Sequence, residues 1–438
     1  MLHVILFFID IGSVATSLPF FKWRVIKLFK LFSYSRGRYV TASEYSNTAY
    51  IQFTESTPGF TPIKVKSDQR VLSAAASDSK GEKVLVNIAD YPAGSTTGTP
   101  HIGIYSTETG EFKQINELEG YTVRAAGTFS SGSFAASISD SSYRSRIVLI
   151  DPENGKVTEI PGTDNIEAST VNFFECGDGI GFRTSGGNDI KKIMPDGSLS
   201  GFADSEKRPD SGICGMIGNK LGISTYYISE DRFGIEFYDF DSKSSVKADY
   251  TPERSEVCRI FSVDSKTAGV LLVSKEVLFF DVETGSQTGR VKLSGLSQEP
   301  ISAVGTGDGK FAVLCRDSKL YEADSSGLTG RTITLELTED YLGTGITEAE
   351  QKNSDFLSVK PSSDSGSLYI IWNGSQSWLI NKEQFKVRYR IGDFGCAPTE
   401  NARVFVCDSF NGKAGYFPIY DAKQLVDAAS EYLRALGE

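Results

Sequence analysis

A short apolar strand running into a turn of Asp, Asn and Gly recurs along this chain, and a unit that returns at a steady interval leaves few folds open. Segments 101–110 and 277–285 set the template, each taking an apolar strand into Glu-Thr-Gly. Segment 147–155 repeats it with Asn-Gly, and 193–197, 237–242 and 320–324 are looser copies. The turn residues recur because such turns need side chains that tolerate a left-handed backbone. The residue entering the turn is Asp10, Thr54, Ser106, Asp151, Pro195, Asp239, Asp281, Asp324, Asn381 or Asp421, at intervals of 44, 52, 45, 44, 44, 42, 43, 57 and 40 residues.

That interval matches the roughly 40 to 45 residues of a four-stranded propeller blade. Upstream of most markers lies a second apolar run, at 83–88, 134–138, 269–273, 311–315, 368–372 and 403–406, which predicts a hairpin with the marker strand. An earlier run, clearest at 256–262 before Asp264-Ser-Lys266, brings the unit to four strands. Composition agrees: 43 Gly and 11% aromatics beside 3 Met suit many short strands joined by tight turns. The expected fold is therefore all-β, a propeller of four-stranded blades numbering seven to nine, with eight expected, over residues 1–420.

The ends need separate readings. Asp421 caps a predicted helix over 421–438, with Gln424 three residues on and Leu425, Val426, Ala429, Tyr432, Leu433 and Leu436 on one stripe. Residues 2–21 are the most apolar stretch and read either as buried strands of a partial first unit or as a membrane segment. Asp10, Gly12 and Pro19 favour strands, as does the likeness of 6–10 to 278–281, with a hairpin strand following at 39–43. Were it an anchor, Lys22, Arg24, Lys27, Lys30, Arg36 and Arg38 would hold the propeller in the cytoplasm. Residues 22–32 read as a first strand in preference to an amphipathic surface helix. Ten markers exceed the roughly four to eight blades usual for a propeller, which leaves two readings. Strands from the two termini share a closing blade that seals the ring and removes its exposed edges, or the chain is a fragment of a longer array.

The strand, turn and strand rhythm, with Arg36 to Ser43 and Phe279 to Gly285, resembles WD40-type and related quinoprotein-like propellers over nearly the whole chain. The resemblance implies the fold, and partner binding as its ordinary use. The chain departs from the WD40 pattern in having no Gly-His pair and no Trp-Asp dipeptide; Trp23, Trp372 and Trp378 are its only tryptophans.

The chemistry of the side chains points away from catalysis. Ser-His or Cys-His nucleophiles need a positioned base, and only His3 and His101 exist, the latter opening a repeat strand. Cys176, Cys214, Cys258, Cys315, Cys396 and Cys407 form no CxxC pair and read as reduced core thiols. Asp residues such as Asp178 and Asp308 fall in turns that account for them, and 185–188 reads as a hairpin loop. Asn373-Gly-Ser375 fits a glycosylation sequon but reads better as a hairpin turn. A net charge of −11 argues against general nucleic-acid binding.

No catalytic, cofactor-binding or metal-ligating residue is expected. The expectation is a cytoplasmic, non-catalytic scaffold binding a protein or peptide, with the long segments 89–100 and 338–355 as candidate grafts on the repeat. Two rivals stand beside it: a propeller hydrolase or lactonase with a central metal, and an assembly component tethered to a membrane through residues 2–21.

Overall fold

The computed structural model describes residues 40–43, 48–52, 61–78, 80–91, 98–164, 166–168, 171–184, 190–202, 207–335, 357–361, 367–372, 376–392, 403–408 and 413–418. They form eight sheets. Contacts divide the chain into two compact units, Lys64–Leu335 and a second made of Met1–Ile63 with Glu336–Glu438. The segments 2–21, 22–32 and 338–355, and the predicted helix 421–438, lie outside the described residues, as does His3.

Unit Lys64–Leu335 holds six antiparallel sheets of four strands, each made from consecutive strands in chain order. Sheet 1 is Gln69–Ser77, Lys83–Asp90, Thr99–Ser106 and Phe112–Gln114; sheet 2 is Thr122–Thr128, Phe134–Ser139, Ser145–Ile150 and Val157–Glu159. Sheet 3 is Val171–Cys176, Gly179–Thr184, Ile190–Ile193 and Leu199–Phe202; sheet 4 is Lys207–Ile217, Lys220–Tyr227, Arg232–Asp239 and Ser244–Lys247. Sheet 5 is Val257–Ser262, Thr267–Leu272, Glu276–Asp281 and Gln287–Lys292; sheet 6 is Pro300–Gly307, Lys310–Cys315, Lys319–Asp324 and Gly327–Thr334. Within this unit the markers Ser106, Asp151, Pro195, Asp239, Asp281 and Asp324 fall at or just past the ends of the third strands, while Asp10, Thr54 and Asp421 lie outside the described residues. Every second apolar run within the unit is a second strand, paired with that marker strand as a hairpin.

The sheets stack face to face with apolar clusters between them. Phe134, Ala136 and Ile138 of sheet 2 pack with Leu85, Ile102 and Ile104 of sheet 1. Ala135, between them in sequence, points the other way into the core shared with Ile180 and Phe182 of sheet 3. Side chains alternate across a strand, so a middle strand with a sheet on both faces carries apolar residues on both of them. This explains why the second and third strands read as unbroken apolar runs. The same arrangement recurs where Phe237 of sheet 4 meets Phe280 of sheet 5, and where Phe261 and Phe279 of sheet 5 surround Phe311 of sheet 6. Each such ring contributes roughly 1.5–3 kcal/mol by leaving water.

First strands of successive sheets lie against one another, as in sheets 1 and 2, 2 and 3, 4 and 5, and 5 and 6. Their closeness dictates small residues. A Cβ on Gly305 of sheet 6 would sit 2.0 Å from the Ser262 carbonyl oxygen of sheet 5, so only glycine fits. Buried polar groups also tie neighbouring sheets. The Asn87 amide of sheet 1 accepts from the Val123 N–H at 2.8 Å and donates to the Val123 carbonyl at 3.0 Å in sheet 2.

The second unit contains four antiparallel strands, Leu357–Pro361, Ser367–Trp372, Gln376–Asn381 and Lys386–Gly392. Thr48–Gln52 extends them by pairing parallel to Lys386–Gly392, and Val40–Ser43 follows outside it. A three-stranded sheet joins Thr61–Pro62 to Lys413–Pro418 and Arg403–Asp408. Strands before residue 63 and strands after residue 356 thus share two sheets. The sequon residues 373–375 and the segment 185–189 lie outside the described residues, but the strands flanking each are paired as hairpins.

Candidate functional site

In unit Lys64–Leu335 every sheet has two edges of unlike character. Turns between first and second and between third and fourth strands occupy one; turns between second and third strands, with the connections to the next sheet, occupy the other. Ties between sheets keep the edges aligned. Lys220 at the start of a second strand in sheet 4 pairs with Glu283 in a third-to-fourth turn of sheet 5 at 2.7 Å, and Lys113 of sheet 1 donates to the Asn154 carbonyl of sheet 2 at 2.6 Å.

The first edge is where the sequence repeat lives. The Asp281 carboxylate accepts from the N–H groups of Glu283 at 2.9 Å and Thr284 at 2.8 Å, while the Gly285 N–H reaches the Asp281 carbonyl at 2.8 Å. Gly285 sits at φ +74°, a conformation that costs other residues the strain of a crowded Cβ. Asp151, Asp196, Asp239, Asp264 and Asp324 accept backbone N–H groups in the same way. The Thr284 N–H and hydroxyl hold the Asp281 carboxyl below the usual carboxylate range, and the Ser326 hydroxyl and N–H do the same for Asp324. Acidic side chains here are architectural, as the turn reading of the sequence expects. Asp178 departs from that reading: its carboxylate leaves the turn to pair with buried Lys192 at 2.7 Å, and Asp241 of sheet 4 approaches the same ammonium at 3.4 Å.

The opposite edge collects what the repeat does not explain. The large apolar side chains most open to solvent among the described residues are Tyr143 at 85%, Ile228 at 40% and Val273 at 38%. All three lie in turns between second and third strands, in sheets 2, 4 and 5. Tyr143 is presented by a stiff turn: the Asp140 carboxylate accepts from the N–H groups of Ser142 and Arg144 and pairs with the Arg144 guanidinium at 2.7 Å. Its backbone lies at φ +59°, an outlier for a bulky residue. Strain of this kind persists only where the surroundings impose it, and it clusters at working sites.

Tyrosines paired with cations mark the same edge. Arg70 lies 4.6 Å over Tyr91, and Arg146 lies 5.1 Å over Tyr121. In sheet 4, Lys247, Arg232 and Lys207 surround Tyr227 at 4.1, 5.5 and 5.9 Å. Tyrosine and arginine dominate the binding energy of protein interfaces because they carry large rigid area with a polar tip.

Residues singled out by sequence fall largely into packing. His101 is buried between Asp90, 2.8 Å from Nε2, and Gln114, 2.9 Å from Nδ1, within sheet 1. Cys176, Cys258 and Cys315 are free thiols. Burial pushes them up to about 12, 11 and 12, which leaves them protonated and unreactive. Among the described residues no three His, Cys, Asp or Glu side chains gather as a metal site would need, and no helix is long and apolar enough to cross a membrane. The long segment 89–100 is partly strand: Ala89 pairs with Pro100 and Asp90 with Thr99. Sequence reasoning passed over Tyr143 and Ile228, for which an apolar residue inside an otherwise polar turn was the available signal, and it read Val273 as the end of the strand run 269–273, whereas the strand stops at Leu272.

No family model matches the sequence, and no curated protein matches it either. Solved structures do. The C-terminal WD40 domain of Sif2 shares 12% identity and a TM-score of 0.50, over 82% of this chain and 98% of that one. The Dos1 propeller, at 12% identity, gives a TM-score of 0.47 over 83% and 95%. Chaetomium thermophilum Sqt1, solved bound to the N-terminus of the ribosomal protein L10, gives 0.47 at 10% identity over 80% and 97%. The chain is a WD40-like β-propeller in fold, all-β with blades of four antiparallel strands.

Proposed function

We propose that this chain is a non-catalytic scaffold, working in the cytoplasm, that binds a protein or peptide on the edge carrying the second-to-third turns of unit Lys64–Leu335. One observation carries the reading: the three most exposed large apolar side chains among the described residues all lie on that edge, one of them on a turn stiffened to display it. Single exposed apolar residues are ordinary on a protein surface. Their gathering on one edge, while the other is satisfied by its own Asp turns, is what favours a partner. The free thiols of Cys176, Cys258 and Cys315 support a reducing compartment.

A photo-crosslinking amino acid placed at Tyr143, Ile228 or Val273, and for comparison at Glu153, Ser242 or Ser326, tests this in cells. The expected result is a discrete protein adduct from the first three positions and none from the others. Adducts of equal strength from both edges, or none from Tyr143, would overturn it.

A further inference from the structure

Sheet 4 brings four strand ends together on the partner edge, each supplying one residue. Lys207 opens the first strand, Tyr227 closes the second, Arg232 opens the third and Lys247 closes the fourth. Lys207, Tyr227 and Arg232 stand in register across the sheet. The Tyr227 ring lies over Gly234, where a Cβ would approach it to 2.5 Å; glycine provides the seat. From there its hydroxyl donates to Glu236 at 2.5 Å, and Lys207 completes the inner pair with Glu236 at 3.1 Å. Glu236 is wholly buried, so this inner layer is neutral and fixed.

The outer layer is different. Arg232 and Lys247 are 42% and 49% exposed, and a single carboxylate from the turn, Glu230, lies between them. It meets Arg232 Nε at 2.5 Å and Lys247 Nζ at 3.4 Å. Asp231, the other acid of the turn, is engaged with the Tyr226 hydroxyl at 2.5 Å, and Arg232 also reaches the Thr251 hydroxyl at 3.2 Å. Two cations therefore share one short, solvent-reachable carboxylate above an aromatic floor, beside exposed Ile228. Exposed pairs of this kind are weak, so a carboxylate brought in with further contacts can displace the resident one.

We infer that Arg232, Lys247 and Tyr227 form a carboxylate-binding cradle for an acidic segment of a protein partner, and that Glu230 occupies it as an internal stand-in until the partner arrives. This rests on the proposed partner edge and names the chemistry it selects. Removing the stand-in raises the local charge by one and frees both cations, whereas removing the cations abolishes the cradle.

Fluorescence anisotropy of a labelled hexaglutamate peptide with the full chain tests it, alongside the same peptide built of glutamine. Glu230→Gln should tighten hexaglutamate binding about fivefold, the effect of a surface ion pair of about 1 kcal/mol. Arg232→Gln with Lys247→Gln should lose the binding, and the glutamine peptide should bind none of them. Glu230→Ala serves as a second stand-in removal, and an unchanged melting temperature confirms that each variant folds. Unaltered affinity in both Glu230 variants, or full binding by the double variant, overturns the inference, as does inorganic phosphate binding where the peptide does not. Because Tyr143 and Val273 play no part here, crosslinks from them would survive the cradle's failure, and peptide binding would survive theirs.

Discussion

The two edges of the sheets in unit Lys64–Leu335 are built from the same strands and do opposite things with their turns. On one, Asp281, Asp324 and their counterparts spend their carboxylates on their own backbone, and the loops are satisfied from within. On the other, Tyr143 is held in a strained conformation and left in water, and Glu230 is shared between two cations. Turn physics enforces repetition on the first edge, because only certain residues close those loops. The second edge uses the same device at Asp140, but the repeat does not extend to its turns, so it is free to vary from sheet to sheet.

Both edges hang on the cores between sheets, so the largest effect should come from there. Phe311→Ala removes a ring packed against Phe261 and Phe279 and should cost about 3–5 kcal/mol in chemical denaturation. A loss below about 1 kcal/mol would mean that sheets 5 and 6 are not joined as described. Next comes the polar tie between sheets: Asn87→Ala strands the Val123 N–H and carbonyl and should cost about 1–3 kcal/mol.

The edges themselves separate at smaller scale. Asp281→Ala should lower the melting temperature, because two backbone N–H groups lose their acceptor. The same carboxylates predict a pH response. Asp281 and Asp324 have folded values below their unfolded ones, so their contribution is complete above the ordinary carboxylate range. It fades as pH falls through that range toward the folded values. A melting curve that stays flat from neutral to acid pH would break this part of the comparison. On the other edge Tyr143→Gly should leave stability within about 0.5 kcal/mol or raise it, since glycine relieves the positive φ.

How much of this was legible follows the same division. The repeat, the hairpins and the fold could be read from the sequence because Asp, Asn and Gly recur wherever a third strand must turn, and because middle strands such as 134–138 are apolar on both faces. The sharing of sheets between the ends was legible only from the logic of covering edges, since Thr61–Pro62 is too short to announce itself. The edge carrying the second-to-third turns was not legible. Tyr143 and Tyr227 look alike in sequence, yet one stands in water and the other is buried beneath three cations. Tyr227, Gly234 and Glu236 meet only through the register of sheet 4, and no spacing in the chain states that register.

One paired measurement reaches the central claim most directly: melting temperature and partner crosslinking for two triple variants of the full chain. Tyr143→Ser with Ile228→Ser and Val273→Ser should keep the melting temperature and lose the partner. Asp151→Ala with Asp239→Ala and Asp281→Ala should lower the melting temperature and keep the partner. The reverse assignment, or equal loss of both properties in both variants, would contradict the division of labour between the edges.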